Sequence, residues 1–377
     1  MLKFNSKMIY KKFFEDINNF FLILLLSFGL IVWVIQAVNF LDFVTEDGHG
    51  LLVYIKYTLL NLPKIFSKLM PVIFFVSIYF IINKYEENNE LKIFWFLGVT
   101  RVEVINKMIK HSLLFTIILL ILTVFIVPMS QYKAREFIQS SNIDFFPSLI
   151  QEKKFIDTVD GLTIFIEQKN NDEYKNIFLK DDKNVNKRII YAKNGELINN
   201  KSQRALILND GRIININDTN ITEFNFKTTT FDLSEYITKS ITDFKVQEKS
   251  TSSLIDCYWN FYILGNKLIY FNEKNCNEAA IKDIQSELYK RTIKPFYLIL
   301  LSILSGYIFF ISKENISSKK YKSIIFCSGI LLIVVSELFN SFLEKNFYAL
   351  IFALIFPLTL CFILYWIFRK KNIRKPV

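Results

Sequence analysis

Long apolar runs fill both ends of the chain, and a polar stretch of alternating character separates them. The first run covers about Ile17–Leu41. The second reaches its most apolar part at Pro71–Ile82, after a segment Leu51–Met70 interrupted by Lys56, Lys64, Lys68 and a kink-forming Pro63. The third covers Ser112–Met129, and three more follow at Thr292–Ile311, Tyr321–Leu343 and Tyr348–Phe368. About 20 apolar residues suffice for a helix to cross about 30 Å of hydrocarbon, so each run predicts a membrane span. The first run is too long for a cleaved signal peptide and lacks a small-residue cleavage site, so it is expected to stay as an anchor.

Between the third and fourth runs the period changes to two. Leu162–Glu167, Asn176–Leu179, Arg188–Ala192, Ala205–Leu208, Ile213–Ile216 and Phe224–Leu233 read as strands. Asn194-Gly195 and Asp210-Gly211 follow β-prone runs and read as hairpin turns. Strands at roughly ten-residue spacing imply a sandwich, jellyroll or curled sheet. Glu278–Lys290 reads as a helix leading into span four. The expected organisation is a membrane half at 1–130, an inserted all-β domain at 131–290, and a second membrane half at 291–377: an α-helical membrane protein of six spans, three before and three after the insert.

The formal charge of +11 invites a nucleic-acid reading until it is located. Residues 131–290 hold 22 Lys+Arg against 23 Asp+Glu, whereas the rest holds 24 against 12. The excess flanks apolar spans, which is a topology signal and not a basic groove, so no nucleic-acid partner is expected. Lys3, Lys7, Lys11, Lys12, then Lys313, Lys319, Lys320, Lys322, and then Arg369, Lys370, Lys371, Arg374 and Lys375 fall on one side. Asp42, Glu46, Asp47 and the turn Glu344-Lys345-Asn346 fall on the other. By the positive-inside rule both termini are cytoplasmic and the insert is exported. Cys257 and Cys276 lie in that insert; they either form a disulfide or remain free thiols.

Candidate chemistry is sparse. There is no G-x-x-x-x-G-K-[ST], G-x-S-x-G or H-E-x-x-H, and the chain's histidines are His49 and His111. No catalytic residues, cofactor or metal site are expected, and the chain does not read as an enzyme. Two features carry more. In Lys84–Thr100, polar residues give way to Leu91, Phe94 and Trp95 at i, i+3, i+4, and Gly98 ends the run. That is a surface amphipathic helix, either floating in the interface or seated in a partner with Glu90 meeting a basic residue there. Lys56, Lys64 and Lys68 flank the apolar part of span two, and Lys64 and Lys68 share a helix face. They either snorkel to lipid phosphates or form a site for an anionic amphiphile. Glu337, within span five, is expected to face protein or a wet cavity.

At these residues the chain resembles the LptF/LptG family, membrane subunits of the lipopolysaccharide-exporting ABC transporter. Glu90-Leu91 through Leu97-Gly98 is similar to the family's coupling-helix pattern. Tyr174–Leu179, Tyr191–Leu197 and Glu287-Leu-Tyr-Lys-Arg291 with Pro295 resemble the LptF branch. The resemblance implies a periplasmic β-jellyroll, an inner-membrane location, and a role in extracting lipopolysaccharide and passing it to a jellyroll bridge. It implies an LptG-like permease, an LptB-like ATPase dimer that supplies the missing P-loop, and an LptC-like single-span protein as partners. One departure stands out: where some LptF proteins carry basic residues in span one, this chain has Gln36 and Asn39. Gln36 and Asn39 are then expected to face the cavity, and either the lipid-phosphate role moves to Lys56, Lys64 or Lys68 or the lipid is less phosphorylated. The competing readings are a lipoprotein-releasing permease, which has four spans, and a receptor or scaffold with an exported ligand-binding domain, which would need a cytoplasmic output module.

Overall fold

The computed structural model describes residues 2–41, 51–141, 152–159, 161–170, 173–182, 187–200, 203–216, 221–233, 245–263, 278–311, 316–343 and 347–374. Asp42, Glu46, Asp47, Cys276, Lys313, Lys375 and the Glu344–Asn346 turn, used above, lie outside them. The chain divides into two compact units, one of Met1–Val34, Asn61–Gln131 and Lys245–Val377, the other of Ile35–Leu60 and Tyr132–Phe244. The polar segment from Lys245 onward, read from sequence with the insert, packs with the first unit.

The helices are α1 (Leu2–Asn39), α2 (Leu51–Leu60), α3 (Leu62–Glu87), α4 (Glu90–Phe96), α5 (Arg101–Ile121), α6 (Val127–Ser141), α7 (Thr251–Ile263), α8 (Glu278–Leu288), α9 (Tyr297–Gly306), α10 (Ser318–Leu343) and α11 (Phe347–Arg374). Among the described residues six stretches are long and apolar enough to cross a membrane: Lys7–Asn39, Leu51–Glu87, Arg101–Ile138, Ala280–Phe310, Ser318–Phe342 and Phe352–Lys370. Each overlaps one of the six apolar runs of the sequence. Pro63 sits in the first turn of α3, where its missing N–H costs nothing, and the chain breaks just before it at Asn61. Two single π turns interrupt the spans, Leu122–Ile126 between α5 and α6 and Tyr289–Ile293 after α8.

In the first unit span four is the buried centre. Leu298, Leu300 and Leu301 of α9 are fully enclosed, and Leu298 joins a cluster with Phe74, Ile78, Ile105, Met108 and Phe115. The outer helices instead expose large apolar side chains, among them Leu331, Val334, Phe362 and Trp366. A helix apolar on its outward face needs hydrocarbon there, so these residues mark lipid-facing surface.

The second unit holds an antiparallel sheet whose strands hydrogen-bond in sequence order: β1 (Phe155–Val159), β2 (Leu162–Asn170), β3 (Glu173–Asp181), β4 (Lys187–Asn200), β5 (Gln203–Ile216) and β6 (Ile221–Asp232). The sheet is open. Its inward side chains, including Leu162, Ile164, Ile166, Ile177, Leu179, Leu206 and Leu208, form one apolar core.

Asn194-Gly195 and Asp210-Gly211 are not hairpin turns. They lie inside β4 and β5, each of 14 residues where the sequence pattern suggested runs of four or five. Ladder pairing is missing along one cross-strand row, Glu167, Asn176, Lys193, Asp210 and Lys227, while the register on either side is unchanged. Asn176 and Asp210 adopt left-handed φ of 51° and 50°, a region that Asn and Asp tolerate better than other side chains. Inward positions step by three across this row, from Tyr174 to Ile177 and from Ala192 to Gly195, so the side-chain parity inverts. Asn176 and Asp210 therefore crease the open sheet along this row.

Candidate functional site

At the C-terminal end of α3 the chain turns through Asn88 and Asn89, the latter with φ 60°, into the short helix α4. Gly98 ends the helical stretch with φ +73°, as the sequence indicated; its N–H bonds to the Trp95 carbonyl at 3.0 Å, and Val99 N–H to the Phe94 carbonyl at 3.0 Å. Thr100 then opens α5 with a reciprocal capping box to Glu103.

The apolar face of α4 is turned into its own unit. Leu91 and Phe94 are buried, with Phe94 edge-on to Tyr10 and Phe13 of α1. Trp95 lies edge-on to Phe309, and Arg101 stacks on both Trp95 and Phe310. The outward face is Lys92, Ile93 and Phe96, and Phe96 is 86% exposed. Glu90 is half-buried and accepts a 3.1 Å hydrogen bond from the Asn88 side chain.

At the opposite end of α3, about 39 Å away along a helix of this length, a cavity of about 390 Å³ opens in the same unit. Lys64 and Lys68 line it with Lys290, Arg291, Lys294, Glu287 and Glu337. The Lys64 ammonium donates to the side-chain oxygens of Gln131 at 3.2 Å and Gln247 at 3.0 Å. Gln131 in turn donates to Asn61 at 2.7 Å, so the α3 cap residue fixes the group that fixes Lys64. Lys68 is exposed one turn further along. Glu337 is ion-paired with Lys294. The predicted members Lys64, Lys68 and Glu337 thus meet in one cation-rich cavity. Lys56 belongs to the other unit and lies 5.2 Å from the Phe137 ring. Gln36, half-buried, and Asn39, exposed, sit in the last turn of α1, also assigned to that unit.

The family model described as lipopolysaccharide export system permease LptF/LptG matches residues 13–371. The chain belongs to this LptF/LptG family. A curated relative, the uncharacterized protein RP871 of Rickettsia prowazekii, is 23% identical over 193 residues, covering 50% of this chain and 53% of its own. The chain thus spans about half the length of that curated relative.

In this LptF/LptG-family chain the sequence did not point to Arg291 as a structural centre. Its guanidinium is 2% exposed and donates to Glu287 at 2.9 Å, Thr251 Oγ1 at 2.9 Å, and the carbonyls of Lys249 and Gln247 at 3.0 Å each. Four of the five guanidinium N–H groups are engaged within the protein, so Arg291 is a strut of the cavity wall and leaves the ligand-facing role to the lysines. It lies in one π turn, and its carbonyl accepts from Thr123 of the other at 2.8 Å; Thr251 closes the triangle on the Val124 carbonyl at 2.7 Å. Hydroxyl groups thereby satisfy carbonyls that π geometry releases. Cys257, on α7, is disulfide-bonded, whereas Cys327 and Cys361 are free.

Proposed function

We propose that this chain is a permease subunit of an ABC transporter that takes lipopolysaccharide out of the inner membrane and passes it to a periplasmic β-structured bridge. The family match, running from span one to span six with the sheet between, carries the reading. The orientation follows the positive-inside count: α4 faces the cytoplasm, and the cation-rich cavity lies at the outer end of the spans. Lys64, Lys68, Lys290 and Lys294 suit the phosphates of an anionic lipid head group. The inward face of the sheet offers acyl chains an apolar lining, at about 0.8 kcal/mol per buried methylene. An extraction of that size requires an outside energy source, here an LptB-like ATPase dimer against which Ile93 and Phe96 of α4 press, with Glu90 beside them. An LptG-like permease completes the membrane cavity, and an LptC-like single-span protein extends the exported sheet.

The test is purification from native membranes in mild detergent. Recovery with a P-loop ATPase, a second six-span permease and a single-span exported protein supports the reading. In that complex, Glu90→Lys is expected to separate ATP hydrolysis from lipid release. Recovery of the chain with none of these partners refutes it.

A further inference from the structure

The positive charge of Lys322 reads in the sequence as one of several marks of membrane sidedness. In the structure it is enclosed. Lys322 is 8% exposed, and its ammonium lies 2.5 Å from the carboxylate of Glu86, itself 8% exposed, with Glu87 at 3.8 Å. A charge needs no such partner to mark sidedness, and water would solvate both groups better than burial does. The pair closes a seam between α3 and α10. Tyr79 donates its hydroxyl to the Lys322 carbonyl at 3.0 Å, and the Tyr79 and Phe326 rings are 4.9 Å apart. One turn deeper, Phe75 stacks on Phe326 and fills the space a side chain at Gly329 would need: a Cβ there would stand 2.0 Å from its ring.

Two features set this seam apart from ordinary helix packing. Glu86 stands at the last turn of α3, and α4 begins four residues later. The intervening turn is closed by bonds from Asn88 N–H to Lys84 and from Asn89 N–H to Glu86, so little slack separates α4 from the ion pair. At its far end α10 reaches the cation-rich cavity, where Glu337 and Asn340 are part of the wall. From Lys322 to Glu337 is about 22 Å of continuous helix.

We propose that the Glu86–Lys322 ion pair locks α3 to α10, so that displacement of α4 is delivered along α10 to the wall of the cation-rich cavity. The inference rests on the export reading. The two side chains are positioning residues, both enclosed within this chain. Packing at Phe75 and Gly329 holds the middle of the seam, and the ion pair keeps its end from sliding, because separating two buried charges is far costlier than shearing apolar contacts.

The test uses the whole exporter with its ATPase, reconstituted in vesicles, with Cys327 and Cys361 replaced and a nitroxide on a cysteine at exposed position Leu338. ATP is expected to change the label's mobility in the native pair. In E86Q/K322Q, which leaves no uncompensated charge and so folds, ATP hydrolysis is expected to continue while the change at Leu338 is lost and lipid released per ATP falls several-fold. The exchanged pair E86K/K322E is expected to regain part of both. A full ATP response in assembled E86Q/K322Q overturns the proposal, as does a native complex that hydrolyses ATP without any response at Leu338. Absence of an ATPase from the purified complex is a different failure, that of the export reading itself.

Discussion

Replacing Arg291 with methionine keeps most of the side-chain volume and removes four hydrogen bonds from a site 2% exposed. It strands the Gln247 and Lys249 carbonyls and leaves Glu287 without its cation. Breaking a buried pair costs about 3–5 kcal/mol. The Glu287 side chain is 17% exposed and borders the cavity, so water recovers part of the loss. A value of about 3 kcal/mol follows, or roughly 10²-fold in a local opening equilibrium. The opening should be confined to what Arg291 holds, the segment Val246–Glu248 and the first turns of α7. Amide hydrogen exchange in detergent reads this directly, since local openings need not disturb the spans. Arg291→Lys keeps the charge but has no planar fork, and should fall between methionine and the native residue. Exchange in Arg291→Met within about threefold of native at these amides would mean that the guanidinium is not the strut described, since threefold is less than 1 kcal/mol.

Two further outcomes follow from the geometry. Asp210→Val places a β-branched residue at φ 50° and should destabilise the sheet by about 1–2 kcal/mol, whereas Asp210→Gly should stay within about 0.5 kcal/mol; exchange protection across β4–β6 measures both. Phe96→Ser should leave stability within about 0.5 kcal/mol because the ring is 86% exposed, yet reduce the ATPase recovered with the chain. Unchanged recovery would remove Phe96 from the proposed contact.

The spans were legible because lipid imposes one demand over a long window, so a run such as Tyr321–Leu343 can hardly be anything but a span. The glycine stop at Gly98 was equally plain, since a left-handed residue after an amphipathic turn leaves few alternatives. The face of α4 was harder. Periodicity finds the apolar stripe of Leu91 and Phe94 but not which neighbour covers it, and α1 supplies the cover. The hairpin cues failed for a related reason: Asp210 takes a left-handed φ within a strand and Asn194-Gly195 is paired on both sides, and only that pairing separates a strand from a turn. Lys322 pairs with Glu86, 236 residues away, and Arg291, besides its local partner Glu287, holds the Gln247 carbonyl 44 residues away; it is these distant contacts that the sequence hides. Nothing local announces them.

The creased row of the sheet has an evolutionary consequence. Because β2 to β6 all invert parity at the same cross-strand level, the register is the same above and below it. A single-residue insertion beyond the row in β4 or β5 would turn that strand's far half inside out against neighbours that had not changed. The strand interiors should therefore resist length change, and drift in length should collect in the connections between them. Among relatives, the distances from Asn176 to Lys193 and from Lys193 to Asp210 would then vary only by what the intervening loops gain or lose, while the number of residues on each arm stays fixed.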